Sequence, residues 1–214
     1  MNAYYMSIDD TIIPAAREDI GFFIAFEGID GSGKSTQFKL LMESLSQRGA
    51  DPLGGKEPTS DNPWGLRAKE IGRSGRLSPL EELRLFTLDR SYDVTRHILP
   101  ALEAGRIVVR DRYIISSLMY QGALGISRER ILTVNSIFPW PDLVFILELP
   151  VSEACKRLTL RGSGLDTFEE EDFLERAAAI LDFFSLPNMV RIDASRDKES
   201  LAAEILAIVL EKMA

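Results

Sequence analysis

The chain has 214 residues, 45% hydrophobic and 27% charged, with a formal net charge of −8. This suits one soluble domain with a sizeable core and argues against a broad nucleic-acid-binding surface, while leaving room for a local basic pocket. One cysteine, Cys155, excludes an intrachain disulfide, and one histidine, His97, gives little support to a His-based metal cluster or a Ser-His-Asp triad. No apolar run approaches a membrane span, and residues 1–20 lack the basic and apolar regions of a signal peptide. The expectation is a flexible N-terminal extension over 1–20 and one domain over 21–214, in a cytoplasmic protein with no membrane or nucleic-acid partner.

In chain order, "FFIAF" opens a strand predicted over Phe22–Glu27. Then comes "GIDGSGKS", Gly28 to Ser35, which fits G-x-x-x-x-G-K-[ST]. Phe38, Leu41 and Leu45 follow at helical spacing, with Gly49 as the stop. Strand, Gly-rich loop and helix in that order make a P-loop. Its backbone N–H groups form an anion nest at a positive helix end, Lys34 reaches the β/γ-phosphates, and Ser35 is a Mg²⁺ ligand. A strand is predicted at Leu53–Glu57. A long helix begins after Ser78 as N-cap, with Pro79 first and Glu81 completing a capping box, and runs toward Gly105 with a bend near Pro100. Further strands are predicted at Ile107–Asp111, Leu143–Leu149 and Met189–Asp193. A second capping box, Thr167 to Glu170, opens another helix, and the last helix carries Leu201, Ile205 and Ile208 on one face. Alternating strands and helices predict an α/β P-loop NTPase fold, a five-stranded parallel sheet flanked by helices on both faces. Ligands in such sheets bind beyond the carboxyl ends of the strands.

The segment "IVVRDRY" narrows the chemistry. Asp111 at the strand end suits a Mg²⁺ ligand, and Arg112, where a hydrolytic ATPase often has a water-orienting Glu, suits a phosphate clamp. No Asn-Lys-x-Asp guanine motif is present. Phosphoryl transfer is mostly positioning and charge neutralisation, and an acceptor already carrying phosphate needs its own cations. Arg67, Arg90 and Arg112 are the candidates.

The sequence resembles the thymidylate kinases between about Phe22 and Asp193. The resemblance rests on "FEGIDGSGKST", "KEP", "FTLDR", "DRYIISSLMYQG", "PDLVFILELP" and "RGSGLDTFEEEDFLER". It implies phosphorylation of dTMP to dTDP with ATP and Mg²⁺, in a homodimer. Gly28, Ile29, Asp30, Gly31, Ser32, Gly33, Lys34, Ser35 and Thr36 are implied to hold ATP, with Ser35 and Asp111 at the metal. Asp30 is implied to bond the acceptor's 3′-hydroxyl or lie near the metal. Arg67, Arg90 and Arg112 are implied to hold the acceptor phosphate, with Glu57 beside them. Phe86 would stack on the base, Ser117 and Gln121 would read its edge, and Tyr120 would crowd the 2′ position. Arg161, with Arg157 one turn earlier, would belong to a lid near 157–168. The catalytic set is Lys34, Arg112, Arg161 and Asp30. Departures from the family pattern are Lys56 in place of Arg, Thr59-Ser60 in place of a Gly pair, and Leu181 where a base-contacting Tyr is often found. Asp89 is expected to compete for Arg90. Two alternatives stay open at this point: a P-loop kinase for another deoxynucleotide or a nucleoside, and a nucleotide-binding regulatory protein with little turnover.

Overall fold

A computed structural model describes residues 21–74, 76–160, 168–183 and 185–214, the side chains of 72–74 excepted. Five strands, β1 (Phe23–Glu27), β2 (Leu53–Lys56), β3 (Val108–Asp111), β4 (Leu143–Glu148) and β5 (Met189–Asp193), form one sheet in the order β2-β3-β1-β4-β5. Every pairing is parallel. Each strand matches its prediction to within a residue at either end. Strand β1 lies at the centre and is buried along its whole length. Phe26 stacks on Phe145 of β4 at 5.3 Å between ring centroids. A buried side chain of this kind contributes about 1.5–3 kcal/mol, so Phe145→Ala is a severe core lesion.

Because the strands are parallel, their carboxyl ends fall on one edge. The P-loop after β1, Glu57 after β2 and Arg112 after β3 therefore meet there. The register makes this concrete: Phe26 and Lys56 both pair with Asp111.

Helices cover the sheet. Helix α1 (Lys34–Gln47) packs on α9 (Lys198–Lys212). Helix α2 (Pro63–Ser74) packs on α3 (Pro79–Asp93), and α3 in turn contacts α5 (Ile114–Ala123) and α6 (Arg128–Asn135). Helix α8 (Glu171–Leu181) bridges α5 and α7 (Val151–Leu160).

The capping box at Ser78 and Glu81 forms as expected, with Pro79 in the first turn. The predicted bend comes earlier than Pro100. A π-helical turn spans Val94–Ile98 before α4 (Leu99–Glu103). Pro100 has no N–H and crowds the carbonyl of residue 96, and the wider turn accommodates both. The helix expected to open at Thr167 starts instead at Glu171, with Glu170 at its N-cap; Thr167 lies outside the described residues. In α9 the core face is Leu201, Ile205 and Val209, with Ile208 half-buried.

Beneath the sheet edge, Arg110 is buried and donates to both oxygens of Asp93, at 2.7 and 2.9 Å. This pair ties β3 to the end of α3. Gly55 is needed beside it, since a Cβ there would stand 2.6 Å from the Arg110 guanidinium. None of the described helices is long and apolar enough to cross a membrane.

Candidate active site

The P-loop turns on glycines in left-handed conformations. Gly31 has φ 84° and Gly33, the N-cap of α1, has φ 97°. A Cβ at Gly31 would stand 2.6 Å from the Ala154 carbonyl oxygen, so the loop cannot carry a side chain there without shifting. Lys34 is buried and donates to the Ile29 carbonyl at 2.7 Å. Burial, with Arg112 beside it, pushes its ammonium down to about 7.

Ser35 Oγ donates to Asp111 Oδ2, and Lys56 Nζ lies 3.3 Å from the same oxygen. Asp111 Oδ1 is buried without a partner among the described residues. Thr36 is exposed at the first turn of α1, and the buried Ser32 hydroxyl also lacks a partner among the described residues. A hydroxyl and a carboxylate with a spare oxygen suit Mg²⁺, which takes few protein ligands and completes its shell with phosphate and water. Among the described residues no cluster of three or more His, Cys, Asp or Glu could hold a metal, so phosphate oxygens would have to complete this one.

Arg112 follows β3 with φ 79°, an uncommon conformation for a residue with a side chain. Its Nη2 donates to Asp30 Oδ1 and to the Tyr120 hydroxyl (3.2 Å), and Nη1 donates to Ser116 Oγ (3.2 Å). That leaves Nε–H and one Nη1 hydrogen without an acceptor among the described residues. The Tyr120 hydroxyl donates to Asp30 Oδ2 at 2.8 Å and accepts from the Asp30 N–H at 3.1 Å. Although burial raises it, Arg112 and Lys34 hold the Asp30 carboxyl far below its usual range. Asp30, Arg112 and Tyr120 thus form one ionised, hydrogen-bonded triangle beside the P-loop.

A cavity of about 320 Å³ extends from this triangle. It is lined by Asp30, Lys56, Glu57, Phe86, Arg90, Arg112, Ser117, Tyr120, Gln121 and Phe168, among others. Phe86 is half-buried on α3 and lines the cavity with its ring. Ser117 and Gln121, four residues apart on α5, share a face toward it. Gln121 Oε1 is buried without a partner among the described residues, an acceptor waiting for a donor.

Arg90 departs from the expectation of a free phosphate ligand. It is 1% exposed, and all its N–H groups are donated within the protein. Nε and Nη2 fork onto Glu57, Nη1 reaches Ser117 Oγ and Asn135 Oδ1, and Nη2 also reaches the Tyr113 carbonyl. Burial raises the Glu57 carboxyl, and the Arg90 fork pulls it back toward ionisation. Arg90 is therefore a wall of the cavity near Ser117, and both Glu57 oxygens are occupied.

Asp89 does not compete for Arg90. It accepts from Thr59 N–H and Oγ1 and from Asn62 Nδ2, at 2.9, 2.7 and 2.7 Å. Thr59, which stands in place of a glycine, supplies two of these donors, so the two positions complement each other.

Other expected residues lie elsewhere. Arg67 is exposed on α2, 3.2 Å from Glu70, and Lys69 of the same helix lines the cavity instead. Arg157 donates to the Ala194 carbonyl at 3.2 Å, at the carboxyl end of β5. Arg161 and most of the expected lid lie outside the described residues. Leu181 lines a different cavity, beside Ile29, Leu147 and Pro150, so it does not stand at the base end.

Two contributors escaped the sequence reading. Glu27, fully buried at the end of β1, accepts from the Tyr113 N–H (2.8 Å) and Ser116 Oγ (2.5 Å), fixing the start of α5. A lone charge closing an apolar strand was the available signal. Asn135, which braces Arg90 from α6, carried none.

The thymidylate kinase family model matches residues 26–205. The chain is 41% identical to the thymidylate kinase of Xanthomonas campestris pv. campestris (strain B100) over 194 residues, covering 91% of this chain and 85% of that one. It is 39% identical to the thymidylate kinase of Desulfotalea psychrophila over 198 residues, 91% of this chain and 98% of that one. With the P-loop, the strand-end Asp-Arg pair and the adjoining cavity in place, these likenesses assign the chain to the thymidylate kinase family.

Proposed function

We propose that this chain transfers the γ-phosphoryl group of ATP to dTMP, giving dTDP, with Mg²⁺. The observation that carries this reading is the cavity itself. It joins a cationic end at the P-loop to an aromatic and amide end of a size for one nucleotide. Lys34 and the P-loop N–H groups would bind the donor phosphates. Arg112, through its two uncommitted N–H groups, would hold the acceptor phosphate, with Lys56 beside it. When bound, Mg²⁺ would neutralise phosphate charge at Ser35 and Asp111. Asp30 accepts from Arg112, and its carboxylate would also accept from a 3′-hydroxyl.

At the other end, Phe86 offers a stacking face. The Ser117 hydroxyl accepts from Arg90, so its own hydrogen would be free to donate to a base carbonyl. Gln121 Oε1 would accept from a ring N–H. A pyrimidine with a carbonyl and an N3–H meets all three demands.

The nucleoside-kinase alternative needs a carboxylate base at a 5′-hydroxyl. Both Glu57 oxygens are taken by Arg90, and Asp111 is assigned with Ser35 to the metal, so neither favours it. A homodimer in the cytoplasm completes the reading, and a light-scattering mass near the 23.9 kDa of one chain at micromolar concentration would count against the dimer. The reaction itself is tested by ADP release across the common nucleoside monophosphates and nucleosides. dTMP is expected among the best acceptors; its failure to stimulate ADP release would reject the proposal.

A further inference from the structure

Arg76 stands in the connection between α2 and α3, outside the residues assigned to either nucleotide. Its Nε and Nη2 donate to both oxygens of Glu82, at 2.7 and 2.8 Å. Glu82 is fully buried and also accepts from the Leu77 N–H at 3.2 Å. The fork fixes the guanidinium plane, and that plane covers the Phe168 ring at 3.9 Å from its centroid and the Phe173 ring at 5.1 Å. Phe168 meets Phe173 at 5.8 Å and Tyr120 at 6.0 Å, both in edge geometry. Phe168 and Tyr120 both line the nucleotide cavity. A cation anchored on α3 thus holds an aromatic wall against the tyrosine that completes the Asp30–Arg112 triangle.

We propose that Arg76 is a positioning residue for the acceptor nucleotide. It keeps Phe168 pressed on Tyr120 at the sugar side of the cavity and touches no substrate itself. Two features separate this from plain stabilisation. The guanidinium has its edge spent on Glu82 and its face on Phe168, so one group links a buried anchor to the cavity wall. The ring it covers lines the acceptor cavity beside Tyr120, so the effect is expected on the acceptor more than on ATP. A cation–π contact of this kind translates into roughly a 2- to 30-fold effect.

The inference rests on the cavity being the dTMP site, and a mutant cycle separates the two. Arg76→Gln, Arg76→Lys, Phe168→Leu and Arg76→Gln with Phe168→Leu are assayed for KM of dTMP, KM of ATP and kcat. Phe168→Leu leaves the Arg76–Glu82 pair whole, so a folding defect of Arg76→Gln does not block the test. The expected result is a several-fold rise in the dTMP KM for Arg76→Gln, with the ATP KM within twofold. Arg76→Lys should recover part of the loss, and Arg76→Gln should add little once Phe168 is leucine. If wild type turns over dTMP but Phe168→Leu leaves its KM unchanged, or the two substitutions are additive, the positioning role is overturned alone. If wild type does not use dTMP at all, the functional reading falls and takes this role with it.

Discussion

Of the two arginines that line the cavity, Arg90 is buried and Arg112 partly so, and they do opposite things. Arg90 has every N–H matched by the protein, on Glu57, Ser117, Asn135 and the Tyr113 carbonyl. Arg112 keeps two hydrogens without an acceptor among the described residues, beside an unpartnered Asp111 oxygen and a Lys34 pushed down to about 7. The base end of the cavity is thus built before any ligand arrives. The phosphate end holds cations crowded together, and added negative charge would relieve them. Shape is prepared at one end and charge at the other.

The comparison predicts different failures at the two ends. Arg90→Met should strike stability first. It leaves the buried Glu57 carboxylate unpaired, a loss of about 3–5 kcal/mol that denaturant unfolding would read. A stability within 1 kcal/mol of wild type would erase the distinction.

Lys34→Ala should strike turnover instead. It removes a charge that stabilises the transferring phosphoryl group, lowering kcat at least ~10²-fold with the fold intact by circular dichroism. Activity within a factor of five would refute the catalytic role of the P-loop.

Gln121→Leu should be smaller, raising the dTMP KM on the order of 10-fold by leaving a base N–H unpaired. It should also narrow the preference for dTMP over dCMP, while the ATP KM barely moves. An unchanged dTMP-to-dCMP ratio would mean that α5 does not read the base.

The smallest effect is a proton. In the free protein Lys34 is pushed down to about 7, so near pH 7 it is about half protonated. Bound phosphate favours the ammonium, so ATP binding should take up roughly half a proton per site at pH 7. ATP affinity should then weaken as pH rises above 7, because charging Lys34 costs more there. Calorimetry in buffers of different ionisation enthalpy measures the uptake, and proton release would contradict the sign.

Much of this was legible in the sequence because it depends on local pattern. Apolar runs marked β1, β3, β4 and β5, while β2, with Gly54 and Gly55, carried only a weak signal. The Gly-rich loop between β1 and α1 gave the phosphate cradle, since left-handed turns at Gly31 and Gly33 need that residue type. The Ser78 capping box is likewise local. What stayed hidden depends on which distant partner a charge finds. Arg90 and Arg112 look alike in the sequence, and only the placement of Glu57 and Asn135 makes one a wall. Asp89 looked like a competitor for Arg90 until Thr59 and Asn62 supplied its donors. Arg67 was the expected phosphate ligand, yet it lies beside Glu70, and Lys69 of the same helix lines the cavity.

The most direct test is to follow products chromatographically from an equimolar mixture of dTMP, dCMP, dGMP, dAMP and thymidine with ATP and Mg²⁺. The account predicts that dTDP forms first, one for each ADP released, with thymidine untouched. ADP without a new diphosphate, or conversion of thymidine to dTMP, would contradict it.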